Sequence, residues 1–171
     1  MFNFSFRLTA VAFVVIFISS CSEAQVPENS FSSNASTQTS IVLDVHKSPS
    51  CGCCGKWIEH INEHGLQTKV HNSNELPALK NKYGISAKYR SCHTAISKNG
   101  YIFEGHIPAK FINKFLTEHH ENVIGLSVPA MPLGSPGMEV EDKFMPYKIL
   151  RLKKDGTHDV YHQINRYEEQ F

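Results

Sequence analysis

The segment that decides the fold reads Ile41-Val-Leu-Asp-Val-His46, then Lys47-Ser-Pro-Ser50, then Cys51-Gly-Cys-Cys-Gly-Lys-Trp57. Its first six residues are rich in β-branched side chains and run into a Ser-Pro turn signal, which predicts a β-strand that ends there. Apolar residues at 57, 58 and 61, followed by Gly65, predict a helix over residues 54–64. The strand therefore delivers three cysteines to the N-terminus of a helix.

Strands and helices continue to alternate after this segment. Residues 67–71 predict a second strand, and residues 74–84 a second helix capped by Asn74. Asn99-Gly100 lies between two apolar runs and predicts a hairpin, and Pro108 opens a third helix. The resulting order β-α-β-α-β-β-α resembles the thioredoxin fold. We therefore predict a single thioredoxin-like α/β domain over residues 41–171.

The end of the chain departs from a minimal thioredoxin. Residues 125–139 contain three Pro, three Gly and two Met, which predicts an irregular but ordered loop. Residues 147–152 and 158–164 are joined around Asp155-Gly156 and predict a closing pair of strands. The expected domain thus carries an added C-terminal loop and β-hairpin.

The first twenty residues are interpreted as a lipoprotein-type signal peptide. Arg7 is the only charge before an apolar run of eleven residues, shorter than the ~20 that span a bilayer. Ile18-Ser-Ser-Cys21 resembles the lipobox of bacterial lipoproteins, which implies cleavage before Cys21 and lipidation of that residue. Ordinary cleavage nearby, with a free Cys21, is the alternative.

Residues 21–40 are interpreted as the lipidated cysteine and a flexible tether, because Ser, Thr, Asn and Gln dominate them and leave little to bury. We expect a protein of the periplasm, anchored through Cys21 to the outer membrane as a lipoprotein. A net charge of +1 and 19% charged residues show no basic footprint, so nucleic acid is not expected as a partner.

The cysteines carry the chemistry. The four outside the lipobox, at 51, 53, 54 and 92, could form two disulfides in an oxidising compartment, but three lie within four residues and leave few sensible pairings. A helix N-terminus favours the thiolate form. Dithiol exchange needs two thiols and a third would compete, whereas a soft metal ion gains from every added sulfur. Cys92 supplies a fourth sulfur where oxidoreductases of the thioredoxin fold carry a cis-proline.

Four motifs in fixed order resemble those of a family of small exported bacterial proteins that bind metal, whose CopG-like branch contains copper-resistance proteins. They are Lys47-Ser-Pro-Ser-Cys-Gly-Cys-Cys-Gly-Lys-Trp57, Ser91-Cys-His-Thr-Ala95, Gly105-His-Ile-Pro108 and the proline-rich run from Gly125 to Glu139. The resemblance implies a thioredoxin-like domain that holds copper through Cys51, Cys53, Cys54 and Cys92, with a multinuclear Cu(I)-thiolate cluster as one form. Other periplasmic copper-handling proteins are the implied partners.

Alternatives stay open at this point. Four Cys, or three Cys with a His, also suit zinc, although the adjacent Cys53 and Cys54 crowd a tetrahedral site. His93, His106 and Met138 are further candidate ligands. His93 could instead be a buried core residue, and Met138 could fill a gap in the core. His106 could hydrogen-bond to a metal ligand rather than bind the metal itself. The alternative function is a copper- or dithiol-based oxidoreductase.

Overall fold

Seven β-strands and three α-helices are found in residues 41–171, the part of the chain that the computed structural model describes. The predicted signal peptide, Cys21 and the tether lie outside the described residues. The strands are β1 (Val42–Lys47), β2 (Gln67–Asn72), β3 (His93–Ser97), β4 (Ile102–Glu104), β5 (Val123–Ser127), β6 (Tyr147–Lys153) and β7 (His158–Ile164). The helices are α1 (Gly52–Glu63), α2 (Leu76–Lys82) and α3 (Ala109–Thr117).

The strands form one mixed sheet in the order β2-β1-β3-β4-β5-β6-β7. Strand β1 is parallel to β2 and antiparallel to β3, so the cysteine loop after β1 and the segment before β3 lie at the same end of the sheet. The predicted α/β class and the predicted order β-α-β-α-β-β-α are confirmed over the first part of the domain. The predicted closing hairpin is β6 and β7.

The main core lies between the sheet and helices α1 and α3. Leu43 and Val45 alternate along β1 and are fully buried, as a half-buried strand requires. Trp57 is also fully buried, and its indole Nε1–H donates to the carbonyl oxygen of Ile107 at 2.9 Å. Trp57 is thus an anchor of the core. This bond fixes α1 against the segment that precedes α3.

One strand was missed by the sequence analysis. The predicted loop over residues 125–139 overlaps β5, which lies between β4 and β6. Gly125 occupies the strand because a Cβ there would overlap the carbonyl group of Ile102 on β4. The irregular loop therefore begins only after Ser127.

Two helix starts also differ from prediction. Helix α1 begins at Gly52 rather than at residue 54, with Cys51 as its extended N-terminal cap. Helix α2 is capped by Glu75 rather than Asn74, and the Glu75 N–H donates to Ser73 Oγ at 3.0 Å. Within residues 41–171, no helix has the length and apolar character needed to cross a membrane.

Candidate metal centre

The cysteine loop is the N-terminal turn of α1. The Cys51 N–H donates to the Ser48 carbonyl oxygen at 3.1 Å, which closes the turn between β1 and the helix. Cys51 and Cys54 are joined by a disulfide, with their Cα atoms 5.4 Å apart. In the described part of the chain the other two cysteines, Cys53 and Cys92, are free thiols.

Cys92 reaches this loop from the segment before β3. Its Sγ lies 3.4 Å from Cys54 Sγ, and the Sγ atoms of Cys51 and Cys53 are 3.5 Å apart. All four sulfurs lie within 4.8 Å of one another. The four cysteines that the sequence analysis selected therefore form one cluster in space, which we call the sulfur cluster.

Cys92 also faces two histidines. Its Sγ is 3.1 Å from His106 Nε2 and 3.3 Å from His93 Nδ1. These three donor atoms again lie within 4.8 Å of one another. Cys92 thus belongs both to the sulfur cluster and to a group of one sulfur and two nitrogens. Its Sγ is the atom that the two groups share.

The orientation of His106 is set by the proline-rich loop. His106 is fully buried, and its Nδ1 lies 2.8 Å from the carbonyl oxygen of Pro136. Because a carbonyl only accepts, Nδ1 carries the proton and the neutral ring presents its Nε2 lone pair to Cys92. Burial lowers the pKa of His106, which favours this neutral form. A free imidazole nitrogen is therefore aimed at the cysteine sulfur.

His93 is fully buried between aromatic neighbours. Its ring centroid lies 4.3 Å from that of Trp57 and 5.0 Å from that of His106. Burial, reinforced by the nearby His106 and Lys80, lowers its pKa well below the usual value. Its Nε2 finds no hydrogen-bond partner in residues 41–171, while Nδ1 faces Cys92. His93 is thus a core residue that also contacts the sulfur.

Cys92 is a protonated thiol in the metal-free protein. Burial, and then the nearby Cys53, raise the pKa of Cys92 to about 12. Its S–H donates to His106 Nε2, the acceptor that faces it. A bound cation reverses this preference, because thiolate is the form that binds metal. A metal ion that bound to Cys92 would therefore displace its proton.

A buried ion pair holds the backbone beside Cys92. Glu104 is fully buried and Lys80 is 4% exposed, and the Lys80 ammonium donates to Glu104 Oε1. The carboxylate also accepts from Thr94 Oγ1 and from the Ser91 N–H, both at 2.6 Å. The residue that precedes Cys92 is thus bonded to a side chain on the neighbouring strand. Local sequence patterns do not predict this network, because neither Glu104 nor Lys80 belongs to a recognisable motif.

The proline-rich loop forms a wall of the site. Gly137 has φ +86°, and a Cβ on it would lie 2.7 Å from both Cys53 O and Trp57 N, so this loop packs directly on the first turn of α1. Met138 is tied to its own loop through its backbone, which donates to Ser135 O and accepts from Gly134 N. Its role as a ligand stays a prediction.

A cavity of about 450 Å³ opens beside Cys92. It lies between the start of α2 and the segments that lead to Cys51 and Cys92. Its lining includes Ser48, Leu76, Pro77, Lys80, Arg90 and Cys92.

The fold and the site together define a class of protein. When the disulfide between Cys51 and Cys54 is reduced, four cysteine sulfurs and two neutral imidazoles at one end of a mixed α/β domain offer the donor set that soft transition-metal ions prefer. Carboxylates do not take part in either donor group. The molecule is therefore an α/β protein with a candidate thiolate metal site.

Two solved structures place it in a family. They are Form 1 and Form 2 of the copper resistance protein CopG, each 34% identical to this chain, with TM-scores of 0.68 and 0.69. Each match covers 73% of this chain and 98% of that chain. The family model described as "Protein of unknown function, DUF411" matches residues 89–138, and no curated protein matches. The chain belongs to the family of the copper resistance protein CopG.

Proposed function

We propose that this protein binds copper as Cu(I) through Cys51, Cys53, Cys54 and Cys92, and that it serves copper tolerance or handling outside the cytoplasm. One observation carries the proposal. The four Sγ atoms lie within 4.8 Å of one another although Cys92 is 38 residues away from Cys54 in the chain. The fold thus brings the sulfur of a distant cysteine to the sulfurs of three local ones.

The donor chemistry favours Cu(I). Soft thiolate sulfur selects Cu(I), zinc and iron-sulfur clusters over hard cations. Cys92 is shared by the sulfur cluster and the two histidines, which suits a thiolate that bridges two ions. A bridging sulfur relieves the crowding of adjacent Cys53 and Cys54 and supports a multinuclear cluster rather than a single tetrahedral zinc. The name of the CopG structures supports copper as the metal.

The disulfide sets a condition for binding. With Cys51 and Cys54 joined, two free thiols remain in the cluster. Reduction of this bond by a dithiol adds two electrons and two protons to Cys51 and Cys54, and oxidises the dithiol to its own disulfide. The reduced loop then offers three thiols and Cys92 a fourth, and these lose their protons as copper binds. We therefore propose that the reduced protein is the form that binds copper.

Metal analysis of the whole chain tests the proposal. The protein is purified anaerobically after growth with added copper, and its metal content and X-ray absorption are measured. We expect copper with mainly sulfur neighbours, a lower copper content in Cys92→Ser, and no change in the control His119→Ala, whose imidazole side chain is 87% exposed. Zinc as the retained metal would contradict the proposal, and so would unchanged stoichiometry in Cys92→Ser.

Thiol-disulfide exchange is the second candidate function. It is favoured by the disulfide between Cys51 and Cys54 at C-x-x-C spacing on the first turn of a helix. Insulin reduction by the metal-free protein distinguishes the two functions. Turnover that is lost in Cys51→Ser and retained in Cys53→Ser would support exchange and count against copper binding as the main role.

The location of the protein is proposed from sequence. The lipobox at Cys21 supports a periplasmic lipoprotein of the outer membrane, able to meet other copper-handling proteins there. Labelling cells with a radioactive fatty acid should mark the wild-type protein and leave Cys21→Ala unlabelled. Equal labelling of both proteins would contradict lipidation at this residue.

A further inference from the structure

We propose a second metal site, separate from the sulfur cluster, in which His46 and His71 bind a divalent copper ion and Asp44 orients His71. The two histidines lie directly opposite each other on the parallel strands β1 and β2. Asp44 lies two residues before His46 on β1 and therefore on the same face. Strand β2 is the edge of the sheet.

The rings are already side by side. Their centroids are 4.7 Å apart and their planes differ by 14°. His71 Nε2 lies 2.6 Å from Asp44 Oδ1. Because a carboxylate accepts, Nε2 carries the proton, and Nδ1 is the nitrogen that offers a lone pair when the ring is neutral. A histidine held by a carboxylate through one nitrogen while the other binds metal is the common arrangement in metal proteins.

The site is accessible to solvent, and its two imidazole rings lie close together. The side chains of His71 and Asp44 are 34% and 47% exposed. Neighbouring strands of a sheet lie about 4.8 Å apart, which places the two rings within reach of one ion. Rotation of the His46 ring about its side-chain bonds turns one of its nitrogens toward an ion at Nδ1 of His71, while His71 stays bonded to Asp44.

The donors of this second site favour a different ion from the one that the sulfur cluster favours. Two imidazole nitrogens, with a carboxylate beside them and water in the remaining positions, suit Cu(II), which binds nitrogen and oxygen ligands more tightly than Ni(II) or Zn(II). The sulfurs of the four cysteines suit Cu(I) instead. His46 precedes Cys51 by only five residues, at the same end of β1. The protein would thus hold both oxidation states of copper at one end of its sheet.

The test uses the full chain with all five cysteines replaced by Ser, so that no thiol binds or reduces Cu(II). Cu(II) is titrated in and followed by electron paramagnetic resonance. We expect one equivalent with hyperfine coupling to two nitrogens. This signal should be lost in His46→Ala and in His71→Ala, and the affinity should fall about tenfold in Asp44→Ala. His119→Ala, an exposed histidine elsewhere, should match the parent.

If the cysteine-free chain does not fold, the wild-type protein with alkylated thiols replaces it in the same titration. The proposal is overturned if His46→Ala and His71→Ala bind Cu(II) as the parent does, or if loss of His119 removes the signal. Loss of copper at the sulfur cluster leaves this result unaffected, because the titrated protein has no reactive thiols.

Discussion

His106 presents one ring nitrogen to Cys92, at 3.1 Å, because its other nitrogen is engaged by the Pro136 carbonyl at 2.8 Å. The proline-rich loop therefore fixes both the tautomer and the direction of the imidazole before any ion arrives. A ligand that is oriented in advance loses little freedom on binding.

Exchange of His106 for Asn separates these two contacts. The Asn amide can keep the donor toward Pro136 but places nothing at the position of Nε2. We expect the nitrogen neighbour of copper to disappear from the X-ray absorption spectrum of His106→Asn, while the melting temperature stays near that of the wild type. His106→Ala should lose the nitrogen neighbour of copper and also have a lower melting temperature, because Ala cannot donate to the Pro136 carbonyl. An unchanged nitrogen signal in His106→Asn would assign that neighbour to another histidine.

The pairing of Glu104 with Lys80 gives a second prediction. Glu104→Gln leaves the ammonium of Lys80 buried without a countercharge, and breaking a buried pair from one side costs about 3 to 5 kcal/mol. We expect that loss in the free energy of unfolding, measured with urea. The double variant Glu104→Leu, Lys80→Met should recover most of it.

The double variant also isolates the positioning role of Glu104. It restores an uncharged interior but removes the acceptor of the Ser91 N–H, which lies 2.6 Å from Glu104 Oε1. We expect weaker copper binding despite recovered stability. Wild-type affinity in this variant would show that Ser91 and Cys92 are held by other contacts.

Contact between the proline-rich loop and α1 can be tested at Gly137. A Cβ there would lie 2.7 Å from Cys53 O and from Trp57 N, and the residue has φ +86°. Gly137→Ala should therefore suffer both backbone strain, about 1 to 3 kcal/mol, and displacement of the cysteine turn. Gly156→Ala is the matched control, because Gly156 has φ +80° in open space.

The two variants are compared by urea unfolding and by copper stoichiometry. We expect both to lose stability and only Gly137→Ala to lose copper. Equal copper binding by both would mean that the loop does not support the geometry of Cys53.

Local sequence patterns predicted most of the architecture, and they failed where distant contacts decide. Strand β5 contains Gly125 and is followed by Val128 and Pro129, a composition typical of a loop. It becomes a strand because β4 and β6 supply hydrogen-bonding partners on both sides. The cost of Gly in a strand is outweighed by these two ladders and by the close approach to Ile102.

The candidate site, like the fold, was predicted where local sequence decides and not where distant contacts decide. The cysteine motif and its place before a helix are local, and Cys92 was predicted from the thioredoxin-like order of elements and then from the motifs of the resemblance. The ion pair that positions Ser91 could not be predicted from local sequence, because Lys80 on α2 and Glu104 on β4 are brought together only by the tertiary fold. The burial of His60 on α1 also depends on contacts with distant segments. Its exposed fraction is only 9%, since α3 and the C-terminal Phe171 pack on it.

Burial of His60 leads to a prediction about pH. Its Nε2 accepts the Ala109 N–H at 3.0 Å, at the start of α3, which requires a neutral ring. Burial, and then the nearby His64, lower the pKa of His60 to about 4. In the unfolded chain the pKa is about 6.5. Between these values the unfolded chain binds a proton that the folded chain does not, so the free energy of unfolding falls as the pH drops from about 6.5 to about 4.

His60→Gln should flatten this dependence. The Gln oxygen can accept the Ala109 N–H in place of Nε2, and it does not titrate. We expect the variant to lose less stability than the wild type between about pH 6.5 and pH 4, when urea unfolding is measured at steps across that range. A remaining slope comes from His93 and His106, whose pKa values burial also lowers. His119→Gln, an exposed control, should keep the full wild-type slope. If His60→Gln follows the wild-type curve, the acid sensitivity of this fold arises at the metal centre instead.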